Sequence, residues 1–163
     1  YLNLETTYFD KFILEGNSIL RAIHYPPITK QPKEAERAAA HGDINLITLL
    51  MGAQGYGLQV LNRQNQWIDA VAEPNELIIN VGDMLSRLTK NRLASTIHRV
   101  VNPPEKDWGK ARYSIPFFMH PVPKMPLNCL PESIDENNPK KFDDITAGEF
   151  LNNRLIALGL LKD

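Results

Sequence analysis

Gly57-Leu-Gln-Val-Leu-Asn62 runs into Asn62-Arg-Gln-Asn-Gln66, and Trp67-Ile-Asp-Ala-Val-Ala72 runs out of it. The middle segment has nothing apolar to bury, while the flanking runs are short and rich in branched and aromatic side chains. That pattern reads as a β-hairpin closed by a polar turn. The same rhythm extends in both directions. Upstream lie Ala38 to Asp43 and Leu46 to Met51. Downstream lie Leu77 to Val81, Leu85 to Thr89, Ser95 to Val101 and Tyr113 to Met119, with Pro74-Asn75 breaking the chain between. Short strands at intervals of roughly 8–12 residues predict a sandwich or barrel rather than βαβ units. A double-sheet jelly roll is one such solution to the problem of unpaired strand edges.

The flanks read differently. Tyr8, Phe9, Phe12 and Ile13 recur at helical spacing before Gly16-Asn17, which predicts a short helix over Thr6 to Ile13. Ser18 to Tyr25 reads as a strand stopped by Pro26-Pro27, and Thr29 to Glu36 as a loop or a turn of helix. The proline-rich tail from His120 to Pro139 is expected to wrap the surface. Thr146-Ala-Gly-Glu149 has the form of a capping box, and Phe150, Leu151, Leu155 and Leu158 follow at helical spacing. A terminal helix over Ala147 to Leu160 is expected on the outside of the β-core. The fold class is therefore mainly β, with one short helix before the strands and one helix after them.

Composition narrows the function. The 163 residues suit one domain, with residues 1–163 forming a single unit. The net charge of −1 and the lack of a basic block argue against nucleic acid or an anionic membrane as partner. No apolar run approaches the roughly 18 residues that a membrane span requires. The single cysteine, Cys129, cannot make an internal disulfide and reads as a loop thiol. With no signal-peptide pattern at the start, a cytoplasmic location is expected. The chain opens at Tyr1 rather than Met.

The chemistry-bearing residues come in pairs. His41-Gly-Asp43 places an imidazole and a carboxylate two apart, hence on one strand face, where both can aim at one ion. A second histidine from a distant strand would complete a facial triad, the two-His-one-carboxylate set of non-haem iron(II) oxygenases. His24, His98 and His120 are the candidates. His98 is chosen because Ser95-Thr-Ile-His-Arg-Val-Val101 reads as a central strand, where an inward imidazole is costly without a partner. Arg112-Tyr-Ser114 repeats the two-apart spacing. An inward guanidinium calls for an anion, either an internal carboxylate or a bound one held through two parallel hydrogen bonds. Arg99, on the opposite face from His98, reads as a structural ion-pair partner, Asn80 as a pocket-lining residue, Gly82-Asp83 as a strand-end turn, and Trp67 and Trp108 as packing residues.

Together, in this order, these pieces resemble the iron(II)/2-oxoglutarate-dependent dioxygenase superfamily and, within it, the isopenicillin N synthase-like branch. The resembling stretches are Ile19-Leu-Arg-Ala-Ile-His-Tyr-Pro-Pro27, Ala39-Ala-His-Gly-Asp43, Ile47-Thr-Leu-Leu50, Gly57-Leu-Gln-Val60, Val81-Gly-Asp-Met-Leu85, Ser95-Thr-Ile-His-Arg-Val-Val-Asn-Pro103 and Arg112-Tyr-Ser-Ile-Pro-Phe-Phe118. The resemblance implies a double-stranded β-helix with His41, Asp43 and His98 as ligands of catalytic iron(II). It implies that Arg112 and Ser114 hold the distal carboxylate of 2-oxoglutarate, and that Tyr25 contacts the co-substrate or the substrate. The implied reaction consumes O₂ and 2-oxoglutarate and oxidises a small-molecule substrate. Isopenicillin N synthase itself shares these motifs yet uses no 2-oxoglutarate, and a metal-free binding module could keep them by descent. Two departures stand out. Gly42 sits where relatives usually have Thr, and relatives carry an N-terminal region before the barrel, so a fragment lacking that region is expected.

Overall fold

The computed structural model describes residues 2–51, 56–134, 136–137 and 139–162. Two antiparallel sheets face each other. The larger contains β1 (Ile19–Leu20), β2 (Ile23–Tyr25), β4 (Ile47–Met51), β7 (Leu77–Val81) and β9 (Arg112–Met119). Its order is β1-β9-β4-β7, with β2 pairing β9 as well. The smaller sheet has the order β3-β8-β5-β6, from β3 (Ala38–His41), β5 (Leu58–Leu61), β6 (Trp67–Asp69) and β8 (His98–Val100). The hairpin around Asn62 to Gln66 is β5 and β6, paired from Gln59↔Asp69 to Leu61↔Trp67. The turn is closed by the Asn62 side chain, whose Oδ1 accepts from the backbone of Gln64 and Gln66.

The expected strand over Ser18 to Tyr25 is divided into β1 and β2. Both keep one register on β9, Leu20↔Phe117 and Ile23↔Ser114. Between them Arg21 N–H donates to the Pro116 carbonyl at 3.0 Å, but Pro116 has no N–H to return. The ladder therefore loses one rung without slipping. The N-terminal helix is also shorter than its apolar spacing suggests. Only Asp10–Ile13 (α1) is helical, and the residues before it make single turns such as Tyr8 N–H to Glu5 O.

One expectation is overturned. Leu85 to Thr89 is not a strand but part of a helix, α2 (Asp83–Leu88). Met84, Leu85 and Leu88 share one helical face and are all buried. The helix starts at Gly82 in extended geometry, and its first free N–H groups find partners in the preceding loop. Asp83 N–H donates to Asp43 O at 2.8 Å, and Met84 N–H reaches Ile44 O and Asn45 O at 3.2 Å each. Gly82 permits this approach, because a Cβ there would lie 2.1 Å from the Asn45 carbonyl oxygen.

The fully buried core lies beside the sheets rather than between them. Leu46, Met84, Leu88, Met125 and Leu127 form it, packed by Phe9, Phe12 and Phe150 among others. The tail beyond His120 thus corrects a second expectation. It does not merely wrap the surface, since Met125 and Leu127 are wholly buried. Its backbone is tied in by Leu127 N–H to Ile145 O and Leu130 N–H to Leu88 O, both 2.8 Å. Cys129 lies in this stretch and is buried too. The terminal helix α3 (Ala147–Ala157) begins with the full capping box, Thr146 and Glu149 serving each other's backbone N–H. No helix among the described residues is long and apolar enough to cross a membrane. With the packed core displaced to one side, the space between the two sheets is left for a cavity.

Candidate metal centre

His41 ends β3, and His98 begins β8 directly opposite it. Their rings lie 4.4 Å apart between centroids. Asp43 stands beyond the end of β3, so strand parity is not what brings it to His41. The loop that α2 grips through Asp43 O places it there. His41, Asp43 and His98 each offer a ligand atom within 4.8 Å of the other two, the sole such group of three found among the described residues. His98 Nε2 is 3.8 Å from Asp43 Oδ1.

Each ring is already oriented. His41 Nδ1 lies 2.7 Å from Ala39 O, and His98 Nδ1 lies 3.0 Å from Thr96 O. A carbonyl only accepts, so in both rings Nδ1 carries the proton and the Nε2 lone pair is left for an ion. Burial is uneven: Asp43 is buried, His98 half-buried and His41 exposed. The histidines thus sit at the open end of the cavity, not on the enclosed face that the sequence suggested for His98. The other two histidines are elsewhere. His24 stacks on Tyr113, and His120 shares a backbone–hydroxyl pair with Ser18. Burial holds the His120 imidazole below its usual pKa, against a smaller opposite pull from Asp43.

A cavity of about 200 Å³ joins His41, Asp43 and His98 to Tyr25, Arg112 and Ser114. Leu50, Leu58, Ile78 and Val100 make its apolar wall. Arg112 and Ser114 alternate in phase along β9 and are 3% and 6% exposed, so their shared inward face is as expected. Tyr25 is the cross-strand partner of Arg112, and the guanidinium lies 5.1 Å from its ring centre. Arg112 Nε and Nη1 are buried without a hydrogen-bond partner among the described residues. Among the described residues no carboxylate pairs with it, so the internal salt bridge is not found there. Burial lowers the Arg112 pKa, with Tyr25 opposing and Arg37 reinforcing the shift.

Two imidazoles and one carboxylate are a donor set suited to a divalent first-row metal with open positions, and a planar buried cation short of partners suits a carboxylate. The residues therefore fit both an iron(II) ion and a dicarboxylate. A family model of the 2OG-Fe(II) oxygenase superfamily matches residues 16–121. The chain belongs to this superfamily. Among curated relatives, a 2-oxoglutarate-Fe(II) type oxidoreductase, hxnY of Emericella nidulans, is 34% identical over 156 residues, covering 92% of this chain and 43% of that protein. A 2OG-Fe(II) oxygenase family protein from Caulobacter crescentus superposes with a TM-score of 0.88 at 50% identity, covering 97% of this chain and 51% of that one. Neurospora crassa T7H, solved in complex with alpha-KG (2-oxoglutarate), gives 0.87 at 35% identity, with coverage of 96% and 49%. The chain thus spans about half the length of such relatives, or somewhat less. Family and site agree on a jelly roll whose residues fit iron(II) and 2-oxoglutarate.

The other polar residues singled out in the sequence have structural partners. Arg99 pairs with Glu36 at 3.1 Å and lies over the Trp67 ring. Asp83 pairs with Arg154 at 3.3 Å. Trp108 Nε1 donates to Pro103 O. Thr48 escaped notice. It is buried and donates to Asp43 Oδ2.

Proposed function

We propose that this superfamily member is the catalytic barrel of an oxygenase that couples oxidative decarboxylation of 2-oxoglutarate to oxidation of a small-molecule substrate. The observation that carries this reading is one cavity with two ends. Three metal donors converge at one end, and a buried guanidinium with no carboxylate partner among the described residues lies at the other. We assign His41 Nε2, Asp43 Oδ1 and His98 Nε2 as the iron ligands. Arg112 and Ser114 are assigned to the distal carboxylate of 2-oxoglutarate, with Tyr25 packed on the Arg112 guanidinium. Placement in the isopenicillin N synthase-like branch and a cytoplasmic location belong to the same reading.

When bound, iron(II) together with 2-oxoglutarate and O₂ supplies an oxidant able to attack a C–H bond, with succinate and CO₂ as the products of the co-substrate. The chain's own residues bind, orient and exclude. The Ala39 and Thr96 carbonyls hold the protons on Nδ1 of the two rings, which fixes both tautomers. Arg112 gives a planar fork that binds a carboxylate through two parallel N–H donors, setting the direction in which 2-oxoglutarate enters. Leu50, Leu58, Ile78 and Val100 keep bulk water off the space between the two ends. Because T7H has been solved with alpha-KG and thymine together, pyrimidine bases head the substrate screen. The test is substrate-dependent succinate formation by the iron-loaded protein. Substrate oxidation without succinate would assign the isopenicillin N synthase type of chemistry instead, and failure to bind iron(II) would make the chain a metal-free binding module.

A further inference from the structure

Asp43 has two carboxylate oxygens, and the protein treats them differently. Oδ2 accepts a hydrogen bond from Thr48 Oγ1 at 2.6 Å and another from Asn80 Nδ2 at 2.8 Å. Oδ1 is the oxygen that faces His98 Nε2. Thr48 and Asn80 are direct cross-strand partners on β4 and β7. The register therefore points both side chains at the same place, into the cavity that both line. Behind Thr48 stands Asn45, fully buried, whose Nδ2 donates to Thr48 Oγ1 at 3.1 Å and to Ile47 O at 2.8 Å. A hydroxyl has one proton. With an Asn45 N–H directed at its oxygen, Thr48 gives that proton to the nearer, charged acceptor, Asp43, rather than to Asn45 Oδ1 at 3.4 Å.

We propose that Thr48 and Asn80, backed by Asn45, are positioning residues that occupy Asp43 Oδ2 and thereby restrict Asp43 to one-oxygen coordination of the metal. The inference rests on the assignment of Asp43 as an iron ligand. Its chemical content lies in the number of open positions. Carboxylates bind a metal through one oxygen or two. Three single-atom protein ligands leave three of six octahedral positions, enough for a chelating 2-oxo acid and one more ligand. A two-oxygen Asp43 would leave only two. An oxygen already holding two donors, one of them from a fully buried network, is a poor second ligand, so the clamp keeps the third position free.

The experiment is an anaerobic titration of the full chain with manganese(II), paired with the visible absorption of the cobalt(II)-loaded protein, which reports the ligand set and its geometry. Parent, Asn80→Ala, Thr48→Val, Thr48→Ser and Asp43→Ala are compared, with the fold of each checked by circular dichroism. Removing either donor is expected to weaken manganese binding by about 10–100-fold, the usual effect of losing an outer partner of a metal ligand. The cobalt spectrum should change in Asn80→Ala and Thr48→Val, because a two-oxygen Asp43 takes a position otherwise held by water and distorts the ligand geometry of the six-coordinate ion. Thr48→Ser, which keeps the hydroxyl, should restore both affinity and spectrum. Should Thr48→Val fail to fold, Asn80→Ala decides alone, since Asn80 is only half-buried. Affinity and spectrum unchanged in Asn80→Ala, while Asp43→Ala loses the metal, would overturn the clamp and leave the triad standing. Metal binding unchanged in Asp43→Ala would overturn the triad, and the clamp with it.

Discussion

The two ends of the cavity are built on opposite principles. At the metal end every donor is tied down by the protein itself. Both Nδ1 atoms face backbone carbonyls, and Asp43 Oδ2 holds two hydrogen bonds. At the other end Arg112 is more deeply buried than either histidine, yet two of its nitrogens, Nε and Nη1, have no hydrogen-bond partner among the described residues. One end is complete and waits only for an ion at the convergence point. The other is incomplete until an anion arrives.

Substitutions at the two ends should therefore behave differently, in binding and in stability. Asp43→Ala is expected to have the largest effect. It removes the only anionic metal ligand, so the loss of iron(II) or manganese(II) affinity should exceed the roughly 10–100-fold typical of outer partners. It also strands the Thr48 and Asn80 donors, which should cost the metal-free protein about 1–3 kcal/mol in denaturant unfolding. Arg112→Met should weaken 2-oxoglutarate binding to the metal-loaded protein by roughly 2–5 kcal/mol while leaving metal affinity alone. Its ligand-free stability should be unchanged or higher, because an underpartnered buried cation has been removed. Calorimetric titrations with metal and then 2-oxoglutarate separate the two ends. A loss of metal affinity in Arg112→Met would erase the contrast between them.

Smaller effects sharpen the same picture. Gly82→Ala pushes a Cβ against the Asn45 carbonyl and should cost about 1–3 kcal/mol in thermal unfolding, the usual range for overpacking. Because α2 holds the Asp43 loop, metal affinity should fall as well. A stability loss with no change in metal binding would show that α2 does not position Asp43. Glu36→Ala breaks only the partly exposed pair with Arg99 on the outside of the smaller sheet. It should change stability by no more than about 1 kcal/mol, and neither binding step.

What could be read from the sequence was what strand parity and local capping dictate. The phase of Arg112 and Ser114, the β5–β6 hairpin and the Thr146–Glu149 box all follow from neighbours along the chain. Of the three candidate histidines the structure brings His98 beside His41 and Asp43, in a half-buried position rather than the enclosed one expected. The misses share a cause. Leu85 to Thr89 is too short for period to separate strand from helix, and its surroundings favoured strand. The decisive features were Gly82 and the carbonyls of Asp43 to Asn45, which are distant in sequence. Asp43 reaches the metal end through that same contact rather than through parity with His41. Thr48 was invisible because its donation to Asp43 depends on how the loop before β4 turns back onto the start of that strand, and the register that sets Asn80 opposite it is a property of the paired strands. Met125 and Leu127 lie in a proline-rich stretch, yet burial is decided by the backbone bonds to Ile145 and by the room beside α2.

The most direct test of the central claim is an anomalous difference map at the iron absorption edge, from crystals loaded anaerobically with iron(II) and 2-oxoglutarate. The account predicts one peak about 2.0–2.2 Å from His41 Nε2, Asp43 Oδ1 and His98 Nε2, taking the range from comparable nitrogen and carboxylate ligands. It also predicts a dicarboxylate running from that peak to the Arg112 guanidinium, with Asp43 Oδ2 still held by Thr48 and Asn80. A peak at His24 or His120, or a co-substrate lying away from Arg112, would contradict it.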